Sequence, residues 1–257
     1  MAEREVRLMD GGHVVVVDGR PQSHVDLADP TRLAFDYVRR MGDVIDALGD
    51  PGAPVRAIHV GGAGMTLPRY LAATRPGSRQ TVLEPDEELT ALVRRDIPLP
   101  PRSGIKVRPV DGRAGLVDLP DGRADLLVLD AYDDGLVPPE LLTAPVLAEV
   151  ARVLAPTGVA LLNVVDRAPF PVIRSTVAGL RAVLPHLAAG LEPATRRARR
   201  PGNVLLLAGA APVPVEAWRA RSSTGLSPYQ VLDGGQVSSS FGGGTPAQDA
   251  DTACWPG

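Results

Sequence analysis

Hydrophobic residues fall into two regimes along the chain. Over residues 6–27 short apolar runs alternate with turn dipeptides, Asp10–Gly12 and Asp18–Pro21, the signature of strands folded back on tight turns. Residues 29–48 change period: Leu33, Tyr37, Met41, Val44, Ile45 and Leu48 recur at helical spacing. This predicts a helix with Asp29 as N-cap and Pro30 in its first position, stopped by Gly49 and Pro51. From Val55 onward, near-continuous Val, Leu and Ile runs predict strands at 55–62, 79–86, 105–113, 124–132, 158–166 and 203–210. Amphipathic stretches between them predict helices at 67–74, 87–95, 139–154 and 171–184. The alternation predicts an α/β, Rossmann-like, doubly wound, mostly parallel sheet with a small N-terminal β-hairpin region. The expected organisation is an N-terminal strand region at 1–28, a Rossmann-like domain at 29–212, and a tail at 213–257 rich in Gly, Ser and Pro and partly disordered.

Composition narrows the classes. The 257 residues are 44% hydrophobic but only 4% aromatic, so the core must be aliphatic, and the net charge of −3 offers no global attraction to nucleic acid or anionic membranes. A single cysteine, Cys254, supports neither a disulfide framework nor a cysteine metal site, and the four histidines show no metal-ligand spacing; His59 reads as a buried strand residue. The charged N-terminus lacks the apolar core of a signal peptide, and no apolar run approaches the ~20 residues of a membrane span, so a cytoplasmic location is expected. Arg196–Arg200 reads as a solvated loop, and Trp218 and Trp255 as packing or tail residues.

Ligands of doubly wound sheets bind at the carboxyl ends of the strands. Four predicted strand ends carry informative residues. The first is a small-residue turn, Gly61-Gly62-Ala63-Gly64, which admits close approach of a ligand to the backbone. The second carries Glu84, about 20 residues after that turn, where an acid accepts ribose hydroxyls; Asp86 beside it suits a helix N-cap. The third, Asp111-Gly112, combines a turn with a carboxylate able to accept an adenine amino group. The fourth, Asp130-Ala131-Tyr132-Asp133-Asp134, packs three acids into five residues, which repel unless exposed or bridged by a cation, and suits a cationic substrate with Asp130 as proton acceptor. Together these fit an adenosyl cofactor without a phosphate; neither a GxGxxG nor a GxxxxGK[ST] motif is present.

Over roughly residues 13–210 the chain resembles the spermidine synthase (polyamine aminopropyltransferase) family of the S-adenosylmethionine-dependent methyltransferase-like fold. "GGAGMTLPRY" stands in register with the family's GGGDGGxxRE and keeps Arg69; Glu84, Asp111 and "LAPTG" match its cofactor elements and its turn before strand five; Asp130 and Asp133 match its DxxD loop. The segment 22–41 also resembles a branch of spermidine synthase-like proteins. The resemblance implies transfer of an aminopropyl group from decarboxylated S-adenosylmethionine to a polyamine such as putrescine, without metal. Asp130 would be the base, Asp133, Tyr132, Gln22 and Tyr37 would hold the amine, and Gly61, Gly62, Gly64, Glu84, Asp111 and Gly112 would hold the donor. It also implies a homodimer. Two departures stand out: Gly64 replaces the acid inside the glycine motif, and Tyr70 replaces the acid after its arginine. They leave open a methyltransferase using S-adenosylmethionine itself, or a non-catalytic member that keeps the pocket.

Overall fold

The computed structural model describes residues 2–9, 11–225 and 227–254; Asp10 of the expected Asp10–Gly12 turn and Trp255 lie outside them. The chain forms two compact units, Met1–Gly112 and Arg113–Gly257.

The first unit opens with an antiparallel sheet of β1 (Arg4–Met9), β2 (Gly12–Val17) and β3 (Arg20–Val25). Asp18 and Gly19 join β2 to β3 with φ of 47° and 75°, the left-handed pair whose twist matches a hairpin. The β2–β3 register slips between Val15 and Val16, leaving Gln22 as the extra residue of a β-bulge. The helix expected to begin at Asp29 begins instead at Asp36, as α1 (Asp36–Ala47). Asp29 is not its N-cap: its Oδ1 accepts from Thr31 N at 3.0 Å, and Asp26 Oδ1 accepts from the amides of Ala28 and Asp29. These side-chain turns compete with helix for the same backbone groups and delay it by about two turns.

Then follow β4 (Arg56–Val60), α2 (Thr66–Thr74), β5 (Arg79–Leu83), α3 (Glu87–Asp96) and β6 (Ile105–Arg108), with β4, β5 and β6 paired in parallel. Pro68 sits in the first turn of α2, where its missing N–H costs nothing. The strand expected to reach residue 113 stops at Arg108, and Gly112 opens α4 (Gly112–Val117). Val15 and Val25 share one core cluster with Met65, Leu89, Val93 and Ile97, and Arg4 pairs with Asp86 and Glu88. These contacts tie the N-terminal sheet into the same unit as the strands that follow it.

In the second unit β7 (Ala124–Leu129) pairs in parallel with β8 (Leu154–Asp166), the only parallel pair there among the described residues. The expected helix at 139–154 splits into a 3-10 turn, Pro139–Leu142, and α5 (Ala144–Val153), which carries proline in its first turn. After α6 (Pro171–Val183) come β9 (His186–Leu191), α7 (Pro193–Arg196) and β10 (Gly202–Gly209); β10 lies antiparallel between β8 and β9. Strand β9 was not expected, because His186–Leu191 is rich in Ala and Gly and poor in strand formers.

The tail expected to be loosely packed carries α8 (Val215–Ser222), β11 (Gln230–Leu232), α9 (Gly234–Phe241) and a 3-10 turn, Asp249–Cys254. Its order comes from a few anchors rather than from periodicity. Trp218, Val237 and Phe241 are fully buried, and Phe241 meets Phe170 edge-on at 5.3 Å. Arg174 of α6 donates to the carbonyls of Ser240 and Gly242, Ser175 donates to Thr245 O, and β11 pairs with β9. Asp233 and Gln236 form a capping box at the start of α9. Truncating the Trp218 anchor to alanine is expected to cost about 3–5 kcal/mol of unfolding free energy, read as a lower urea midpoint at unchanged slope.

Candidate functional site

The first unit presents a cradle built around one carboxylate. Glu84 follows β5, and its side chain is 8% exposed. Its Oε2 accepts from Gly62 N at 2.9 Å and Ala63 N at 3.2 Å, and its Oε1 accepts from Asp86 N at 3.0 Å. Residue 62 must be glycine: a Cβ there would stand 2.9 Å from Val82 Cγ1 and 3.2 Å from Glu84 Cβ. Ala63 and Met65 are held at φ of 37° and 59°, left-handed values costing of order 1 kcal/mol or more for residues with a side chain. Such strain persists only where the surroundings over-determine it. Asp86 caps α3 through Leu89 N at 2.8 Å, as its position suggested.

All the turn's amides are taken internally. Gly61 N donates to Leu83 O, Gly62 and Ala63 donate to Glu84, Gly64 N donates to Ser23 Oγ at 2.7 Å, and Met65 N donates to Gly62 O. An anion-binding nest needs such amides pointing outward, so this turn has nothing to offer a phosphate or a carboxylate. What it offers is Glu84 Oε1, with a lone pair beyond the one Asp86 uses, suited to a hydroxyl donor.

Sequence reasoning missed Ser23, which bears on the two motif departures. A Cβ on Gly64 would lie 2.9 Å from Ser23 Cβ and 3.1 Å from Val15 Cγ2, so the direction an acid would take is filled by β3. Tyr70 is buried and its ring faces α1, where a Cβ on Gly42 would stand 3.5 Å from Tyr70 Cζ. Arg69 is also turned inward. At 2% exposure it donates to the carbonyls of Gly64, Ile97 and Pro98, and burial pulls it down to about 10. The three motif positions are therefore structural, and they lock the far side of the turn. His59 is buried, bonded to Gln80 Oε1 at 2.9 Å, and driven down to about 4 by desolvation, so it stays neutral.

Asp111 is exposed between β6 and α4, with Gly112 buried next to it. Gln22 occupies the β3 bulge, and Tyr37 stacks on Phe35 with centroids 6.2 Å apart.

The second unit holds Asp130, Tyr132 and Asp133, immediately after β7. Asp133 and Leu136 exchange backbone hydrogen bonds around Asp134 and Gly135, whose φ of 49° and 84° make a tight hairpin turn with Asp133 exposed. Asp130 turns inward instead. Its Oδ1 accepts from Asn163 Nδ2 at 2.9 Å, and burial pushes the carboxyl up to about 6 against the opposing pull of that amide. The cause is desolvation, not the mutual repulsion of clustered acids that the sequence suggested. Tyr132 OH donates to Asn163 O at 3.0 Å, and Asn203 Nδ2 donates to Asn163 Oδ1 at 3.0 Å. Neither asparagine was singled out from sequence, yet a lone amide within the apolar run of β8 was the available signal, since a buried polar side chain needs partners. Among the described residues no three His, Cys, Asp or Glu side chains converge as a metal site, and no helix is long and apolar enough to cross a membrane.

Comparison with known proteins identifies relatives of the chain as a whole. A polyamine aminopropyltransferase of Vibrio vulnificus (strain CMCP6) is 28% identical over 134 residues, which is 51% of this chain and 44% of the relative, so the match spans less than half of that protein. The crystal structure of a probable spermidine synthase from Corynebacterium glutamicum ATCC 13032 superposes with a TM-score of 0.88 at 27% identity, over 96% of this chain and 93% of that one. Human methyltransferase-like protein 13, in complex with SAH, gives a TM-score of 0.60 at 24% identity over 74% of this chain and 92% of that one, a likeness of fold. No family model matches the chain.

Two outcomes follow from this geometry. Gly64→Asp should destabilise the protein by about 1–3 kcal/mol through overpacking, and Ser23→Gly in the same chain should relieve part of that loss in thermal unfolding. Asp130 carries the opposite sign from an ordinary paired carboxylate. Its folded value, about 6, lies above its unfolded value near 3.8, so stability falls as pH rises through that window. Asp130→Asn should therefore raise stability at pH 7.5 by up to about 3 kcal/mol and change it little at pH 4, as measured by denaturant titration at both values.

Proposed function

We propose that this chain, spermidine synthase-like in family and S-adenosylmethionine-dependent methyltransferase-like in fold, is a transferase that moves an aminopropyl group from decarboxylated S-adenosylmethionine to a polyamine such as putrescine. The observation that carries the reading is Asp130: a desolvated carboxyl at a strand end, poised near 6, with its second oxygen outside the Asn163 bond. Protonated amines cannot attack carbon. Asp130 takes the proton from the acceptor ammonium, the freed nitrogen forms a bond to the carbon beside the donor sulfonium, and the carbon–sulfur bond breaks to leave a neutral thioether, methylthioadenosine. A base with its pKa raised toward neutrality is better matched to this transfer than an ordinary carboxylate.

Glu84 Oε1 would receive the ribose hydroxyls, with Gly61, Gly62 and Gly64 giving the nucleoside room, and Asp111 beside Gly112 would take the adenine amino group. Asp133 and Tyr132, in the same unit as Asp130, would hold the acceptor amine. The turn's saturated amides support a donor that presents hydroxyls and positive charge rather than phosphate.

A second reading, methyl transfer from S-adenosylmethionine, is favoured by one observation: the space beside position 64 is filled by Ser23 and Val15, so no acid stands there to hold an aminopropyl ammonium. Calorimetric titration with decarboxylated S-adenosylmethionine, S-adenosylmethionine and methylthioadenosine separates the two. Preference for the decarboxylated donor, with Asp130→Asn lowering amine turnover about 10²–10⁴-fold while donor binding persists, is the expected result. Turnover should rise with pH through about 6, the ionisation of Asp130. Preference for the carboxylated donor would transfer the assignment to methyl transfer, and no binding of any of the three would overturn both.

A further inference from the structure

Asp130 is held by an amide relay that runs backward across two antiparallel strands. In the β8–β10 register Asn163 faces Leu205 and Val165 faces Asn203, so Asn163 and Asn203 are diagonal neighbours on one face of the sheet. Asn163 is fully buried, and each end of its amide has one partner: its Oδ1 accepts from Asn203 Nδ2 at 3.0 Å and its Nδ2 donates to Asp130 Oδ1 at 2.9 Å. The two bonds are mutually consistent only one way round. An asparagine amide has a donor end and an acceptor end: the Asp130 carboxylate can only accept and so takes the donor end, and Asn203, by donating to the acceptor end, holds the amide that way round. Its backbone carbonyl is occupied as well, by Tyr132 OH, which belongs to the Asp130 loop.

We propose that Asn163, oriented by Asn203, is the positioning residue that fixes the Asp130 carboxylate in one direction and keeps it ionised at neutral pH. A fully buried amide donor here faces a half-buried carboxylate. A carboxylate removed from water lacks the hydrogen bonds that stabilise its charge, and an amide donor supplied by the protein restores one of them, favouring the ionised form. The other acids on the surrounding elements do not do this work. Asp133 and Asp134 stand exposed in the hairpin turn, and Asp166 at the end of β8 accepts from the amides of Arg167 and Ile173. Asn203 is half-buried, which suits a residue whose task is to aim Asn163 rather than to touch substrate. This inference deepens the proposed transferase reading by naming what prepares its base, and it rests on that reading for its catalytic meaning only.

The test is the titration of Asp130 itself, followed by carbon NMR of protein labelled at the aspartate carboxyl, with Asp130→Asn assigning the signal. Asn163→Leu, nearly isosteric, removes the donor; Asn163→Ser retains a short one; Asn203→Leu leaves Asn163 in place but frees it to flip. The expected midpoint for Asp130 rises by about one pH unit in Asn163→Leu, by less in Asn203→Leu, and returns part of the way in Asn163→Ser. Such a shift lowers the ionised fraction about fivefold at pH 6 and about twofold at pH 7, so turnover lost near neutrality should recover at alkaline pH with the amine KM little changed, which a merely structural role does not produce. A midpoint that stays put in folded Asn163→Leu, or that moves equally in Asn163→Ser, overturns the proposal. A midpoint that shifts as described in a protein that transfers no aminopropyl group upholds the relay and removes the activity assigned to it.

Discussion

A single carboxylate holds the glycine turn in shape. Glu84 leaves the end of β5 and crosses to the turn after β4, where the amides of Gly62 and Ala63 converge on one of its oxygens while Asp86 N, in its own loop, takes the other. That arrangement dictates the sequence around it. Gly62 cannot carry a Cβ, because Glu84 and Val82 occupy the space. Ala63 and Met65 must accept left-handed backbone to bring their neighbours' amides into line. It also dictates what the turn can bind. A turn whose donors are consumed by an acid has lost the positive character that draws phosphates to helix entrances, and it keeps the negative character that suits hydroxyls and cations. Ser23 on Gly64 N and Arg69 on Gly64 O complete the lock from the other side.

The elements dominated by burial were legible in the sequence. Val, Leu and Ile runs marked β4, β5, β7, β8 and β10 because strands covered on both faces cannot carry polar residues at alternate positions. Asp86 was readable as a cap because an Asx residue before a helical pattern has one obvious partner. Asp29 misled for the same reason: its oxygen caps a local turn, and nothing in its immediate neighbours distinguishes an Asx turn from a helix start. The tail misled because its order depends on few side chains, Trp218 in α8 and Val237 and Phe241 in α9, and on arginine and serine donors of α6 that bind bare carbonyls. Carbonyls are present at every residue, so such pairings leave no pattern to read. Ser23 stayed hidden likewise, since its partner is a backbone amide 41 residues away.

The same limit applies to the replaced acids of the glycine motif. From sequence, Gly64 and Tyr70 looked like losses of charge at a binding surface. In the structure they are packing positions, one against β3 and one against α1. A residue's place in a motif says where its Cα stands, not which way its side chain leaves; that depends on what else is packed nearby, here the N-terminal sheet.

Two acids at strand ends thus have different environments. Glu84 receives three amide donors and serves as a fixed acceptor. Asp130 is half-buried and its compensation is a single amide, so desolvation prevails and the carboxyl sits near 6. A carboxylate with so little compensation stands close to the balance between holding and releasing a proton, which is the condition for moving one. The strand that supplies the compensation depends on chain direction. Because β10 runs antiparallel beside β8, Asn203 near its start lies diagonal to Asn163 near the end of β8, at the edge from which Asp130 emerges after β7. A parallel β10 would bring its opposite end to that edge, where Ala208 and Gly209 carry no amide side chain. Under the proposed relay, the antiparallel extension of the sheet is what brings an amide side chain behind Asn163.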